Sequence, residues 1–228
     1  MTEIKRIQQL LRQSVTQSVR PPTYFFKTGP GDYAEHDQFL GVTTPNLRKI
    51  AKKFEHLNVE NIQILMDSPF NEERLLALFI LIQQYPKDPD AVYQFYMANL
   101  KKVNNWNLVD VSAHLILGRY LAGCDRELLI DLARSSVLWE RRISMVSTWY
   151  FIKNSDCEWT FKIAEQLLKD RHDLIHKAVG WMLREAGKKN MDQLIDFLDQ
   201  HGPNMPRTML RYAIEKFPKD DRLRYLNI

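Results

Sequence analysis

The sequence predicts an all-α fold, an α-solenoid in which pairs of helices stack side by side and leave a concave, basic groove. The first observation is a repeat, since long segments with helical periodicity start at intervals of 34, 32, 36 and 32 residues. These segments begin near Asn71, Asn105, Val137, Asp173 and Met205. Shorter amphipathic segments lie between them. The second observation is that no alternating strand pattern occurs and the chain has only 8 glycines, which argues against a sheet.

A period of this size built from helix pairs is typical of HEAT-like repeats. Further helices are expected near Asn58 and near Thr44, where Thr44 would be the N-cap and Pro45 the first helical residue. The N-terminal segment predicts a cap helix, because its apolar side chains share one face: Ile4, Ile7, Leu10, Leu11, Val15 and Val19. We expect one HEAT-like repeat domain over residues 1–228, with the cap helix and a Gly/Pro-rich loop in 1–43 and repeats in 44–228.

Composition narrows the class of protein. The chain has 228 residues, 45% of them hydrophobic and 26% charged, which suits a globular protein with one sizeable core. Its longest apolar run, LLALFILI, covers eight residues, far short of the roughly 20 that a membrane span needs. Cys124 and Cys157 lack the spacing of a metal site and are too few for a disulfide scaffold. We expect both to be buried small apolar residues of a cytoplasmic protein.

The charge pattern gives a pointer to a partner. The formal net charge is +4 and the sequence pI is about 9.0, with basic doublets such as Arg48-Lys49, Arg141-Arg142 and Lys188-Lys189 along the chain. Such a balance favours nucleic acid as the ligand. The same doublets also fit solvated helix ends, where the helix dipole favours cations. Charge alone leaves both interpretations open.

Residues 21–43 interrupt the helical pattern and hold three of the eight glycines and three of the ten prolines. Gly29-Pro30-Gly31 should break any helix there, since proline lacks the backbone donor and glycine loses more entropy on ordering. The aromatic residues Tyr24, Phe25, Phe26, Tyr33 and Phe39 predict an ordered loop. The loop either seals the end of the solenoid or faces a ligand.

A band of aromatic and charged residues recurs in the long helices. Trp106 and Asp110 lie one turn apart in the helix that follows Asn105. Trp139 and Arg142 begin the next long helix, and Lys177, Trp181 and Arg184 lie along the one after it. An acid inside a helix needs a reason, because Asp is a poor helix former. The alternatives are a site or a structural ion pair between Asp110 and Arg142, with the tryptophans as packing residues.

His172 and His176 lie one turn apart with Asp173 after the first, a spacing similar to a zinc protease motif in which Glu is replaced by Asp. No third ligand is evident in the sequence. We therefore expect these histidines to be exposed or to cap a helix.

The motifs WNLVD, LWERR and IHKAVGWMLRE, in this order and with FLGVTTPNLRK upstream, resemble the AlkD-type HEAT-like-repeat DNA glycosylases of alkylation repair. The resemblance runs from Phe39 to the C-terminal helices. It implies an active site of Asp110, Trp106 and Trp181 with Arg142 close by. It also implies hydrolysis of the N-glycosidic bond of cationic N7- and N3-alkylpurines in duplex DNA during base-excision repair.

Further expectations accompany this resemblance. DNA phosphates would contact Lys177, Arg184, Lys188 and Arg141, and no metal or organic cofactor would be needed. The enzyme would be a cytoplasmic monomer of bacterial type, associated with the nucleoid when bound to DNA.

The sequence departs from the family pattern in one segment. The family's active members probe the minor groove with an N-terminal helix whose counterpart here is KTGPGDYAEHD, a stretch unsuited to a helix. The alternative is a non-catalytic HEAT-repeat module that binds DNA or scaffolds proteins.

Overall fold

The computed structural model describes residues 2–15 and 20–227. The chain forms two compact units, of which the first ends at Ser112 and the second begins at Ala113. A single repeat domain over the whole chain stays a prediction. Within the described residues, no helix is both long enough and apolar enough to cross a membrane.

The first unit consists of helices and a turn-rich loop. Its helices are α1 (Glu3–Gln13), α2 (Thr44–Lys53), α3 (Val59–Met66), α4 (Asn71–Gln84), α5 (Pro89–Ala98) and α6 (Trp106–Ser112). Helix α4 is its centre and packs against α2, α3, α5 and α6. Its residues from 71 to 81 are all buried, which explains why LLALFILI is apolar on every side.

The N-terminal helix is shorter than its apolar pattern suggests. Ile4, Ile7 and Leu11 are buried, but α1 ends at Gln13. Val15 is 45% exposed and forms an isolated bridge with Val42, so it does not belong to the helical face. Val19, assigned to the same face, lies outside the described residues.

Helices α3 and α2 begin at or within one residue of the predicted positions. Asn58 caps α3, and its side chain accepts a hydrogen bond of 3.0 Å from the backbone N–H of Asn61. The predicted cap at Thr44 is wrong by one residue, because Thr44 is already helical and Thr43 precedes α2. The Thr43 backbone is extended at ψ 148°, which favours the residue before a helix, and its side chain makes no capping bond.

The second unit continues with helix pairs. It opens with a π-helical segment (His114–Gly118) and α7 (Arg119–Leu121), followed by α8 (Leu128–Ala133), α9 (Leu138–Lys153), α10 (Glu158–Leu167), α11 (Asp173–Gly187), α12 (Met191–His201), α13 (Arg207–Ala213) and α14 (Lys219–Leu226). Long helices α9 and α11 pack against each other, and each also packs against α10. The all-α fold class is confirmed, and the helix pairs of each unit are consistent with an α-solenoid.

Close packing of α11 against α13 depends on one glycine. A Cβ atom added at Gly180 would lie 2.4 Å from the Met209 carbonyl oxygen and 2.5 Å from the Tyr212 Cβ. No real Cβ atom approaches a backbone oxygen so closely. Only glycine therefore allows these two helices to approach as they do.

The two cysteines differ in environment. Cys157 is buried, as predicted, and burial raises the pKa of its thiol. Cys124 is exposed, so the prediction of a buried residue is wrong there. It lies in the turn between α7 and α8, where residues 122–125 all face solvent.

Candidate active site

Asp110 and Trp106 line one cleft in the first unit. The cleft has a volume of about 470 Å³, within the range of roughly 300–1,000 Å³ that ligand pockets commonly have. Both residues belong to α6, one turn apart, and this spacing places them on the same side of the helix. The opposite wall comes from the loop between α1 and α2, through Arg20, Phe25 and Phe26 among others.

A buried polar network holds the start of α6. Asp37 and Arg74 form a buried ion pair. The side-chain amides of Asn71 and Asn105 also donate to Asp37 Oδ2, at 2.9 and 2.5 Å. In turn, Asn105 Oδ1 accepts a 2.7 Å bond from the backbone N–H of Trp106. The position of Trp106 thus depends on a carboxylate in the loop.

Three aromatic rings stack between the loop and α6. The rings of Phe39 and Phe26 have centroids 4.6 Å apart and are tilted by 26°, and those of Phe26 and Trp106 are 5.1 Å apart and tilted by 23°. Stacked aromatic pairs contribute about 0.5–1.5 kcal/mol beyond the area that they bury. The loop is therefore ordered against the helix that carries Asp110.

Glu72 is the second acid that lines the cleft, and backbone N–H groups bind its carboxylate. Its carboxylate accepts backbone N–H bonds from Leu40 at 2.9 Å and from Gly41 at 2.8 Å. Gly41 has a φ of +87°, a conformation that side chains disfavour, and this lets the chain wrap around the carboxylate. Glu72 therefore holds the cleft wall together.

In the second unit, Arg142 and Trp139 are buried on α9. Arg142 Nη1 donates a 2.5 Å bond to the Leu174 carbonyl oxygen of α11. Trp181 of α11 packs edge to face against Trp149, with centroids 4.9 Å apart. The resemblance assigns Arg142 and Trp181 to the site of Asp110 and Trp106, and this assignment stays a prediction.

The four predicted phosphate-binding cations all contact carboxylates of the second unit. Lys177 lies 2.6 Å from Asp173, Lys188 lies 2.7 Å from Glu185, and Arg184 pairs with Glu185 and Glu215.

Arg141 also contacts backbone: its Nε donates to Asp170 at 2.6 Å, and its Nη1 donates to the carbonyl oxygens of Ser135 and Ser136. These contacts give Arg141 a clear structural role.

The histidine pair is bound to local backbone. His172 is the N-cap of α11, and its Nδ1 accepts a 3.1 Å bond from the Leu174 N–H. His176 Nε2 lies 2.6 Å from the Asp170 carbonyl oxygen. Burial lowers the pKa of His172, the nearby Asp170 carboxylate opposing the shift. The prediction of a capping histidine is confirmed for His172.

Among the described residues, no group of three or more potential ligands could hold a metal ion.

The fold and the sequence together define a class of protein, the DNA alkylation repair enzymes. The model of that family matches residues 7–217, nearly the whole chain, and the protein belongs to this family. Its fold is similar to that of a solved structure described as a predicted DNA alkylation repair enzyme from Enterococcus faecalis, with a TM-score of 0.68 and 17% sequence identity over 82% of this chain and 92% of that chain. No curated protein matches the sequence significantly.

The sequence left the role of the Gly/Pro-rich loop open, and the structure places it at the cleft. Phe25, Phe26 and Phe39 from this loop, and Arg20 directly before it, all line the cavity that Asp110 lines. The available signal was the density of aromatic residues in a segment unable to form a helix. Residues 27–37 form turns without a helix, as Gly29-Pro30-Gly31 predicts.

Proposed function

We propose that the protein is a DNA glycosylase that removes cationic N7- and N3-alkylpurines from duplex DNA by hydrolysis of the N-glycosidic bond. The main support is the pairing of Asp110 with Trp106 in one open cleft of a chain that belongs to the DNA alkylation repair enzyme family. On this proposal the enzyme acts as a cytoplasmic monomer in base-excision repair.

The chemistry of the lesion explains why these residue types suffice. An alkylated, cationic purine leaves as a neutral base, so its departure needs no strong general acid. What needs stabilisation is the positive charge that develops on the sugar, and a fixed carboxylate in a cleft supplies it. Asp110 has this role and also orients the attacking water. The mechanism uses no metal or organic cofactor.

The aromatic residues provide selectivity in this proposal. An indole face attracts a cation by roughly 0.5–2 kcal/mol, depending on how far the pair is desolvated. Trp106 therefore favours an alkylated, positively charged nucleotide over a normal one. By resemblance to the family, Trp181 has the same task and Arg142 holds a phosphate beside the lesion.

The proposal is tested by measuring release of 7-methylguanine and 3-methyladenine from methylated duplex DNA. Asp110→Asn keeps the shape of the side chain and removes the charge, so we expect a rate about 10²- to 10³-fold lower with an unchanged melting temperature. Asp196→Asn, at an exposed helical acid of α12, is the matched control and should excise at the native rate. Normal excision by the Asp110→Asn protein, together with a much lower melting temperature, would make Asp110 a structural acid.

A second candidate function is a DNA-binding module without excision activity. The observation that favours it is the absence of a helix from residues 27–37, where the resemblance places a helix that probes DNA. DNA binding by the native protein without release of either base would support this second function.

A further inference from the structure

Two neighbouring aromatic rings project from the loop into solvent. Tyr24 is 61% exposed and Phe25 is 49% exposed, with ring centroids 4.9 Å apart in an edge-to-face arrangement. Burial of an aromatic side chain is one of the largest single gains that a fold can make. The two adjacent rings therefore leave apolar surface exposed to solvent on this loop of the first unit.

The tip of this loop, residues 20–25, also carries a cation. The guanidinium carbon of Arg20 lies 4.2 Å from the centroid of the Tyr24 ring, which it covers. A guanidinium stacked on an aromatic ring keeps its outward N–H groups available in a plane suited to a phosphate. The tip thus combines apolar rings with a positive charge.

The exposed rings are held in place by rigid backbone. Pro22–Tyr24 forms a 3₁₀ turn, and the N–H groups of Phe25 and Phe26 both donate to the Pro22 carbonyl oxygen at 2.9 Å. Pro21 and Pro22 restrict φ ahead of the turn. Phe26 then anchors the tip by stacking on Trp106. Binding through a tip already ordered loses little conformational entropy.

The tip continues into the cleft of Asp110. Arg20 and Phe25 line that cleft, and they belong to the tip at the same time. A ligand that contacts the tip is thereby brought to the acid. Because the proposed substrate is duplex DNA, the ligand of this surface must offer both stacked planar groups and anionic oxygens.

We infer that Arg20, Tyr24 and Phe25 form a DNA-probing wedge, in which Phe25 inserts beside the damaged base step and Arg20 binds the adjacent phosphate. Apolar wedges of this kind partially unstack a base step and kink the duplex. The inference rests on the proposed function for its choice of DNA as the ligand. It assigns to a rigid loop tip the task of opening the duplex next to Asp110.

The test measures unstacking and affinity without excision, in an Asp110→Asn background. The probe is a duplex with a tetrahydrofuran abasic analogue and 2-aminopurine as the flanking base, whose fluorescence rises when it unstacks. We expect that rise with the Asp110→Asn protein, and its loss together with about 10-fold weaker binding after the added change Phe25→Ala. Phe25→Trp should restore both signals.

Two further variants separate charge from apolar contact. Arg20→Gln should reduce the slope of log affinity against log salt concentration by about one, the value for one lost phosphate contact. Ile64→Ala, on α3 away from the cleft and also 49% exposed, is the control for simple loss of apolar surface and should bind as the parent does.

The inference is overturned if Phe25→Ala leaves affinity and 2-aminopurine fluorescence unchanged, or if no DNA binds. It is also overturned if sedimentation shows a dimer that Phe25→Ala dissociates while DNA binding stays the same, because the tip would then be a self-association surface. Failure of the proposed function gives a different result, namely wedge-dependent binding by a native protein that releases no alkylated base.

Discussion

The side chain of Asn105 joins the buried carboxylate of Asp37 to the first turn of α6. Its amide donates to Asp37 Oδ2 at 2.5 Å, and its Oδ1 accepts the N–H of Trp106 at 2.7 Å. Asp37 lies 68 residues earlier in the chain, in the loop that forms the other wall of the cleft. One acid therefore sets both the loop and the helix that bears Asp110.

We predict that Asp37→Asn destabilises the protein by about 3–5 kcal/mol, because it leaves Arg74 buried without its charge partner. Urea unfolding monitored by circular dichroism measures the effect. Asp67→Asn is the control, since the Asp67 ion pair with Lys102 is exposed and such pairs contribute about 0–1 kcal/mol. Equal losses for the two variants would contradict the importance of the buried network.

Arg141 and Lys188 should separate structural from DNA-binding cations. Arg141→Gln breaks bonds to Asp170 and to two carbonyl oxygens, so we expect a loss of stability of about 1–3 kcal/mol. Lys188→Gln removes an exposed cation and should leave stability within about 0.5 kcal/mol while weakening DNA binding at low salt. Thermal unfolding and DNA titrations of both variants decide between these roles. A weaker DNA complex for Arg141→Gln at native stability would reverse the assignment for Arg141.

Gly180→Ala should lower stability by about 1–3 kcal/mol, because its methyl group would overlap the Met209 carbonyl oxygen. The matched control is Gly123→Ala, where the added Cβ meets no atom within 4 Å. That substitution should be neutral or stabilising by up to about 1 kcal/mol through the unfolded chain. The denaturant midpoint should therefore fall for Gly180→Ala and stay or rise for Gly123→Ala, and a midpoint of Gly180→Ala that does not fall would contradict the close packing of α11 and α13.

The pKa of His172 predicts how stability responds to acid. Burial lowers this pKa in the folded protein, so the unfolded chain takes up a proton more readily. The contribution of His172 is therefore complete above its ordinary pKa of about 6.5 and declines as the pH falls from there to the folded-state value. Protonation also removes the Nδ1 acceptor that caps α11.

His172→Asn keeps a good cap and removes the titration. We expect the variant to match the native protein at pH 8 and to exceed it at pH 5 in free energy of unfolding, measured in urea at both pH values. A constant difference between the two proteins across this range would rule out His172 as the titrating group.

The sequence by itself determined the helices and their order. Helical periodicity and local caps act between residues three or four apart, so helices could be predicted near Asn71, Asp173 and Asn58. In the structure α4 starts at Asn71, α11 starts at Asp173 and Asn58 is the N-cap of α3. Gly29-Pro30-Gly31 likewise excluded a helix through a purely local effect. The choice of Trp106 and Asp110 as a pair came from their spacing of one turn and from family resemblance.

Tertiary structure decided what surrounds that pair. The stack of Phe39, Phe26 and Trp106, and the bond from Asn105 to Asp37, join residues that are far apart in sequence, and no periodicity specifies which distant side chains meet. The same holds for Arg141, since the sequence alone does not reveal that its guanidinium donates to Asp170. Local rules determine an element, whereas the partner of a side chain depends on how the whole unit packs.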